Sequence, residues 1–138
     1  MRTIVGTVAN ANEGFHVAAA YLNPVMHLIE ARMGLSNLVP GTLNVWIPEN
    51  YIVIARAIIT PDEYGFDETV KLQRCLVEGH KAVIMRPDTH ERMPGYGHGT
   101  NHLELMGQVQ FREVLRLYDG GPVNVEIEGD DAWWDSGS

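Results

Sequence analysis

The chain has 138 residues, with 18 Asp and Glu against 10 Lys and Arg, and a formal net charge of −8. This length suits one domain with a single core, and so acidic a domain is a poor match for a nucleic-acid backbone. The one cysteine, Cys75, excludes an internal disulfide framework and favours a reduced, cytoplasmic setting. No stretch is long and apolar enough to predict a membrane span.

The first part of the chain predicts one strand, a loop and one helix. Arg2 to Ala9 is rich in β-branched residues, which is typical of a strand, and a small polar loop follows at residues 10–14. Phe15 to Leu22 fits either a strand or the start of a helix. Asn23–Pro24 predicts a helix N-terminus. Apolar residues then recur at helical spacing until Gly34, which predicts the end of the helix.

The rest of the chain predicts short strands and little helix. The predicted strands are residues 42–46, 70–77, 81–85, 102–106 and 123–128. An apolar run covers residues 51–59, and residues 109–117 carry a helical pattern. This composition of elements indicates a small β-barrel with helical decoration. The acidic tail, residues 129–138, is predicted to be flexible, although Trp133 and Trp134 leave open that it docks on the body.

The segment PGTLNV, Pro40 to Val45, places two oxygen-bearing side chains on one face of a predicted strand. Because alternate residues of a strand point to the same side, Thr42 and Asn44 share a face. Hydroxyl and amide oxygens are hard donors that suit Mg²⁺, which also tends to bind substrate phosphates. The alternative is that Asn44 satisfies backbone groups at a strand end.

Three further groups of residues are candidates for chemistry. His90, His98 and His102 lie near one another in sequence, but nearby glycines favour a solvated loop over a zinc site. Glu104 is a carboxylate on a short strand after a long loop, where binding residues gather. Arg112 has the donor geometry to pair with a phosphate, or it belongs to a solvated helix face.

The order of these segments resembles the archaeal CTP-dependent riboflavin kinases. PGTLNV is the most specific shared motif, and RPDTH, LEL, FRE and LYDGGPVNVEI follow it in the family's order. The resemblance implies a mainly β fold over residues 1–128, a small six-stranded cradle-loop barrel of the RIFT type with one or two short helices. It also implies an enzyme that uses CTP and Mg²⁺ to phosphorylate riboflavin to FMN.

The resemblance also implies a set of site residues. The family's threonine and asparagine that bind Mg²⁺ correspond to Thr42 and Asn44. Its flavin contacts correspond to Thr89 and Glu104, with Thr100 as a competitor of Thr89 because the loop between threonine and glutamate is longer here. Glu104 would orient the acceptor hydroxyl and receive its proton, a catalytic role. The nucleotide-binding segments correspond to Asn10, Ala11, Asn12, Glu13, Gly14, Phe15, Val109, Gln110, Phe111 and Arg112.

Two other hypotheses were compared with the kinase. One depends on residues of this chain that differ from the family, and the other is judged by the net charge of this chain. The family's glycine-rich loop reads like GLGEG, whereas this chain has NANEG, which favours a flavin- or nucleotide-binding module without turnover. A DNA-binding barrel is disfavoured by the net charge of −8. The predicted partners are therefore riboflavin and CTP, with no nucleic acid or membrane, in a monomer or weak homo-oligomer.

Overall fold

A computed structural model of the chain describes residues 1–10, 18–65, 67–93, 95 and 99–138, with the backbone alone for residues 18–24. Seven strands and five helices make up this part of the chain. In order they are β1 (Arg2–Val8), α1 (Ala18–Met33), β2 (Leu43–Trp46), β3 (Ala57–Ile59), α2 (Pro61–Tyr64), β4 (Val70–Val77), β5 (His80–Pro87), α3 (Thr89–Arg92), β6 (His102–Gly107), α4 (Phe111–Val114), β7 (Pro122–Ile127) and α5 (Asp131–Asp135).

Six of the strands close into an antiparallel barrel. The order around the sheet is β3-β4-β5-β6-β2-β1-β7, and a further pairing of β4 with β7 closes the ring. The short strand β3 pairs only with β4 and lies outside the closed ring. The mainly β, six-stranded barrel that the sequence indicated is therefore confirmed. Among the described residues, the helical part is one helix of 16 residues and four helices of four or five residues.

Two apolar clusters cover the two faces of the barrel wall. The inner cluster fills the barrel with alternate residues of the strands, for example Val45, Ile84 and Leu103. The outer cluster lies between the outer wall and α1, whose Ile29 is fully buried. Cys75 is also fully buried in the inner cluster, where burial raises the pKa of its thiol, so the residue is a packed small hydrophobe.

The helix α1 begins within the segment Phe15 to Leu22, which the sequence left open as a strand or the start of a helix. The structure has α1 from Ala18, so an N-terminus at Asn23–Pro24 is wrong, and Pro24 lies inside the helix. Three successive alanines, Ala18 to Ala20, have the highest helix propensity of any residue and support the extra turn. The predicted end is confirmed, because α1 stops at Met33 and Gly34 follows with φ of 66°. Among the described residues, no helix is both long enough and apolar enough to cross a lipid bilayer.

The C-terminal segment packs on the barrel in the structure. Residues Asp131–Asp135 form α5, and the carboxylate of Asp130 caps it by accepting a hydrogen bond from the backbone N–H of Trp133. Trp134 is buried in the outer cluster, where the guanidinium of Arg74 and the ammonium of Lys81 each lie 5.4 Å from the centre of its ring. The two tryptophans left docking open in the sequence, and the structure has Trp134 docked.

Replacing Trp134 with alanine should lower the free energy of unfolding by about 3 kcal/mol, because a large buried ring leaves a cavity when it is removed. Urea unfolding followed by far-UV circular dichroism measures this change. Ile54→Ala is the control, since Ile54 is 60% exposed. Equal stability of Trp134→Ala and the wild type would show that the segment does not pack in solution.

Candidate active site

The outer face of β2 and β6 carries a cluster of oxygen-bearing side chains, which we call the oxygen triad: Thr42, Asn44 and Glu104. Asn44 and Glu104 are direct partners in the antiparallel pairing of β2 with β6. Their strand neighbours Leu43, Val45, Leu103 and Leu105 all point into the barrel, so strand alternation turns both polar side chains outward. The Thr42 hydroxyl donates a hydrogen bond to the Glu104 carboxyl. Residues that are 62 positions apart in sequence thus meet at one place.

The turn before β2 sets this alternation. Gly41 has φ of 104°, a conformation that residues with a Cβ rarely adopt. The backbone N–H of Val39 donates to the carbonyl of Gly107 at 2.8 Å, which fixes the approach of the chain to β6. The turn at Pro40–Gly41 therefore places Thr42 and Asn44 on the outer face.

Burial gives the Glu104 carboxyl an unusual proton affinity. The residue is 7% exposed, and its desolvation raises the pKa to about 8, while the hydrogen bond from Thr42 acts in the opposite direction. The carboxyl is thus mostly neutral at pH 7 in the ligand-free protein. A positive charge beside it would favour the ionised form, so its protonation depends on what the site binds.

Asn44 has a buried oxygen that no described residue satisfies. The side chain is 7% exposed, and its Oδ1 has no hydrogen-bond partner in the described part of the chain. An unsatisfied buried polar atom costs free energy, so such atoms are rare in folded proteins. This oxygen, together with a hydroxyl and a carboxyl, is a donor set that fits a hard cation such as Mg²⁺. It argues against the alternative that Asn44 only serves backbone groups.

A groove adjoins one end of the oxygen triad and brings together segments that are distant in sequence. Arg112 lies at this groove, and its Nη2 donates to the carbonyl of Ala9 at 2.7 Å while its Nη1 lies 2.9 Å from the Asp119 carboxylate. The Ala9 N–H in turn donates to the carbonyl of Asn44 at 2.9 Å. Hence the point where residues 10–15 leave β1 lies beside both Asn44 and Arg112. The groove is lined by residues 39–43, Leu105, Gly107 and residues 109–112.

Phe111 contributes to this groove differently from its predicted role. Its side chain is 3% exposed and packs in the inner cluster. A Cβ at Gly107 would lie 2.4 Å from its ring, so only glycine fits there. Any ligand contact at Phe111 would therefore come from the backbone. Gln110 is exposed and Val109 is half-buried at the same groove.

The known proteins that this chain resembles in sequence are riboflavin kinases from archaea. The riboflavin kinase of Methanobrevibacter smithii is 34% identical over 64% of this chain and 71% of its own length. The chain belongs to the archaeal riboflavin kinase family. The riboflavin kinase of Pyrobaculum aerophilum is 30% identical over 92% of this chain, and that of Methanocella arvoryzae is 32% identical over 64% of it. The alignment covers 60% of the Pyrobaculum aerophilum protein. No protein-family model matches the chain.

Some family positions fall outside the described residues. Ala11, Asn12, Glu13, Gly14 and Phe15 of the predicted nucleotide loop belong to this group, so their role stays a prediction. Asn10 is described and is exposed directly after Ala9. His98, one of the three histidines considered for zinc, also lies outside. Within the described ranges, no three His, Cys, Asp or Glu side chains are grouped so that they could hold a metal.

The two candidate threonines for the family's flavin contact lie apart from the oxygen triad. The Thr89 hydroxyl donates to the Glu68 carboxylate. The Thr100 hydroxyl donates to Asn50 Oδ1 at 2.8 Å. Among the described contacts, neither hydroxyl meets the Glu104 carboxyl, so the choice between them stays open.

A buried ion pair connects the walls around these threonines. Arg86 is 1% exposed, and its guanidinium donates to the carbonyls of Tyr51 and His102 at 2.7 and 2.8 Å. It also pairs with Glu91 of α3 at 2.9 Å, and the same carboxylate accepts the Val53 N–H. A buried pair with so many partners fixes the start of β6 against α3. The RPDTH motif contributed to the family resemblance. Only the structure shows that its arginine, Arg86, is buried and holds β6 and α3 together.

Proposed function

We propose that the protein transfers the γ-phosphoryl group of a nucleoside triphosphate, CTP, to the terminal hydroxyl of riboflavin and so forms FMN. The observation that supports this most is the oxygen triad beside the groove: a buried oxygen without a partner, a hydroxyl and a protonatable carboxyl, next to an arginine. Phosphoryl transfer needs mainly positioning and neutralisation of charge. Membership of the riboflavin kinase family supports the acceptor, and the resemblance supports CTP as donor.

In this proposal Thr42 and Asn44 hold the metal. Mg²⁺ bound there would neutralise charge on the phosphate oxygens of the donor. The hydroxyl and amide oxygens are on one strand face, so both can bind the same cation. Asn44 Oδ1 would then gain the partner that it lacks within the described chain.

Glu104 acts as the proton acceptor for the riboflavin hydroxyl. The hydroxyl oxygen forms a bond to the γ-phosphorus, the bond from that phosphorus to the bridging oxygen breaks, and the hydroxyl proton passes to the carboxylate. The products are FMN and the nucleoside diphosphate. A general base works best when its pKa is near the working pH, and burial raises the pKa of Glu104 to about 8.

Arg112 holds the donor phosphates at the groove. Its contacts with Ala9 and Asp119 use two of its five N–H donors, which leaves donors for an anion. Arg112→Met should raise the KM for the nucleotide about tenfold or more, with little change in riboflavin affinity. Arg116→Met is the matched control, because Arg116 is exposed on the same segment. An unchanged nucleotide KM in Arg112→Met would exclude this role.

The test is an assay of the purified protein with riboflavin, Mg²⁺ and each of CTP, ATP, GTP and UTP in turn, with FMN measured by chromatography. We expect FMN with CTP, and none when the metal is removed by a chelator. FMN formed with a different nucleotide would show that CTP is not the donor, and the proposed phosphoryl transfer to riboflavin would still hold. No FMN with any donor, together with flavin or nucleotide binding by calorimetry, would make the protein a binding module. The cytoplasmic location and the monomeric or weakly self-associating state remain predictions.

A further inference from the structure

The outer face that carries the oxygen triad continues into an aromatic pair. Trp46 is the next outward residue of β2 after Asn44, and its direct partner across the strands is His102. The two rings have centroids 4.9 Å apart at 62°, an edge-to-face contact that holds the indole in one orientation. His102 is buried, and Trp46 is only half-buried. Part of Trp46 is thus exposed beside the triad.

The aromatic pair is rigidly supported from behind. The carbonyl of His102 accepts from the buried Arg86 guanidinium at 2.8 Å. On the other flank, Trp46 pairs with Thr7 of β1. The N–H of Ile47 donates to the carbonyl of Asn101 at 2.9 Å, which continues the pairing one residue further. Because both neighbouring strands fix its backbone, Trp46 presents a preformed surface and little ordering is needed on binding.

Three features follow one another along β2. The groove with Arg112 lies at the residue 39–43 end, the oxygen triad is in the middle, and the aromatic pair is at the far end. Trp46 is two residues beyond Asn44, roughly 7 Å along a strand. A molecule with its reacting hydroxyl at Glu104 and a flat ring at Trp46 needs a short flexible chain between them. The five-carbon chain of riboflavin spans that kind of distance.

We propose that Trp46, braced by His102, is the stacking platform for the ring system of the acceptor. This inference rests on the proposed function and adds a binding residue to it. A donor base is the competing occupant, but Arg112 and the groove to which the proposed function assigns the donor lie on the opposite side of the triad. The platform therefore selects a planar heteroaromatic acceptor, and its loss weakens acceptor binding roughly 10- to 100-fold, as for aromatic stacking on a nucleobase.

The first experiment measures the fluorescence of Trp46 as riboflavin binds and leaves Trp46 itself unchanged. The chain has three tryptophans, so Trp133→Phe with Trp134→Phe leaves Trp46 as the one remaining indole. Riboflavin titrated into this protein without nucleotide should quench the Trp46 emission in a saturable way, and the riboflavin emission should fall with the same affinity. Saturable riboflavin binding that leaves the Trp46 emission unchanged would overturn the proposal.

The second experiment separates stacking from a structural role. Trp46→Ala should raise the dissociation constant and the KM for riboflavin 10- to 100-fold and leave the KM for the nucleotide unchanged, whereas Trp46→Phe should stay within a few-fold of wild type because it keeps a ring. Trp133→Phe is the control, since Trp133 lies against Gly129 and donates to Glu126, away from the triad. Thermal unfolding of each variant shows that it is folded.

The possible outcomes distinguish this inference from the kinase itself. Normal riboflavin affinity in Trp46→Ala, or a rise in the nucleotide KM alone, would exclude Trp46 as the stacking platform. Neither result would contradict the proposed kinase activity. Riboflavin binding that depends on Trp46, with no FMN from any nucleotide, would support the platform and overturn the kinase. No riboflavin binding by the wild type would overturn both.

Discussion

Replacing Asn44 with alanine should reduce FMN formation by about 100-fold or more while the barrel stays folded. The amide oxygen is one of the two protein donors assigned to Mg²⁺, and losing a preorganised electrostatic contact of this kind costs about 10²- to 10³-fold in kcat. Stability should not fall in parallel, because Oδ1 makes no hydrogen bond to a described residue. Deleting this oxygen therefore breaks no hydrogen bond, and the cost to stability is limited to the lost packing of the amide group.

Asn124→Ala is the matched control for this variant. Asn124 also lies on a strand, β7, but its side chain is exposed and away from the triad. Steady-state kinetics over a range of Mg²⁺ concentrations, with thermal unfolding of the same samples, gives both readouts. The Asn44→Ala protein should bind riboflavin like the wild type. Wild-type turnover by this variant would remove Asn44 from the metal site.

Replacing Glu104 with glutamine should lower kcat by about 10²- to 10⁴-fold, the usual contribution of a positioned general base. Glutamine keeps the shape and can still accept the Thr42 hydrogen bond, so the variant tests the proton transfer more than the packing. Riboflavin affinity should change far less than kcat. Glu113→Gln, an exposed glutamate on α4, is the control. A Glu104→Gln enzyme with wild-type kcat would exclude Glu104 as the proton acceptor.

The same substitution should change how stability depends on pH. The pKa of Glu104 is about 8 in the folded protein against an ordinary value of 4.5, so between these values the folded state holds a proton that the unfolded state has released. Wild-type stability from this group is therefore highest below about pH 4.5 and falls as pH rises to about 8, with a limiting slope of about 1.4 kcal/mol per pH unit. Glutamine has no such proton.

Chemical unfolding of both proteins at pH 5, 6, 7 and 8, without Mg²⁺ or nucleotide, measures this difference. The stability of Glu104→Gln relative to the wild type should increase with pH across this range. Contributions from other titrating groups are shared by the two proteins and cancel in the difference. A constant difference from pH 5 to pH 8 would show that the Glu104 carboxyl is ionised and solvated in the folded protein.

The local features of the barrel were predictable because short-range patterns determine them. The turn between β4 and β5 lies at Glu78–Gly79, both with positive φ, between the predicted strands 70–77 and 81–85. The alternation that starts at Thr42 was also predicted, and it continues through Asn44 to Trp46. Trp46 was not recognised as a possible ligand contact, although the same alternation places it on the same face.

The parts that failed, or that the sequence left open, depend on tertiary structure. Glu104 and Asn44 are far apart in sequence, and only the register of β2 with β6 brings the carboxyl onto the proposed metal ligands. The start of α1 was placed at Asn23–Pro24, a strong local signal that the preceding alanines outweigh. Whether Trp134 docks depended on an outer cluster assembled from five other elements, α1, β3, β4, β5 and β6, which local patterns do not reveal.

The most direct test of the site is a crystal structure of the protein with CDP, riboflavin and Mn²⁺ in place of Mg²⁺, since Mn²⁺ takes similar oxygen ligands and gives an anomalous signal. We expect one anomalous peak bonded to Asn44 Oδ1 and the Thr42 hydroxyl, with the riboflavin hydroxyl at Glu104. A peak on other side chains with CDP bound, or riboflavin seated away from the outer face of β2 and β6, would contradict the proposed active site.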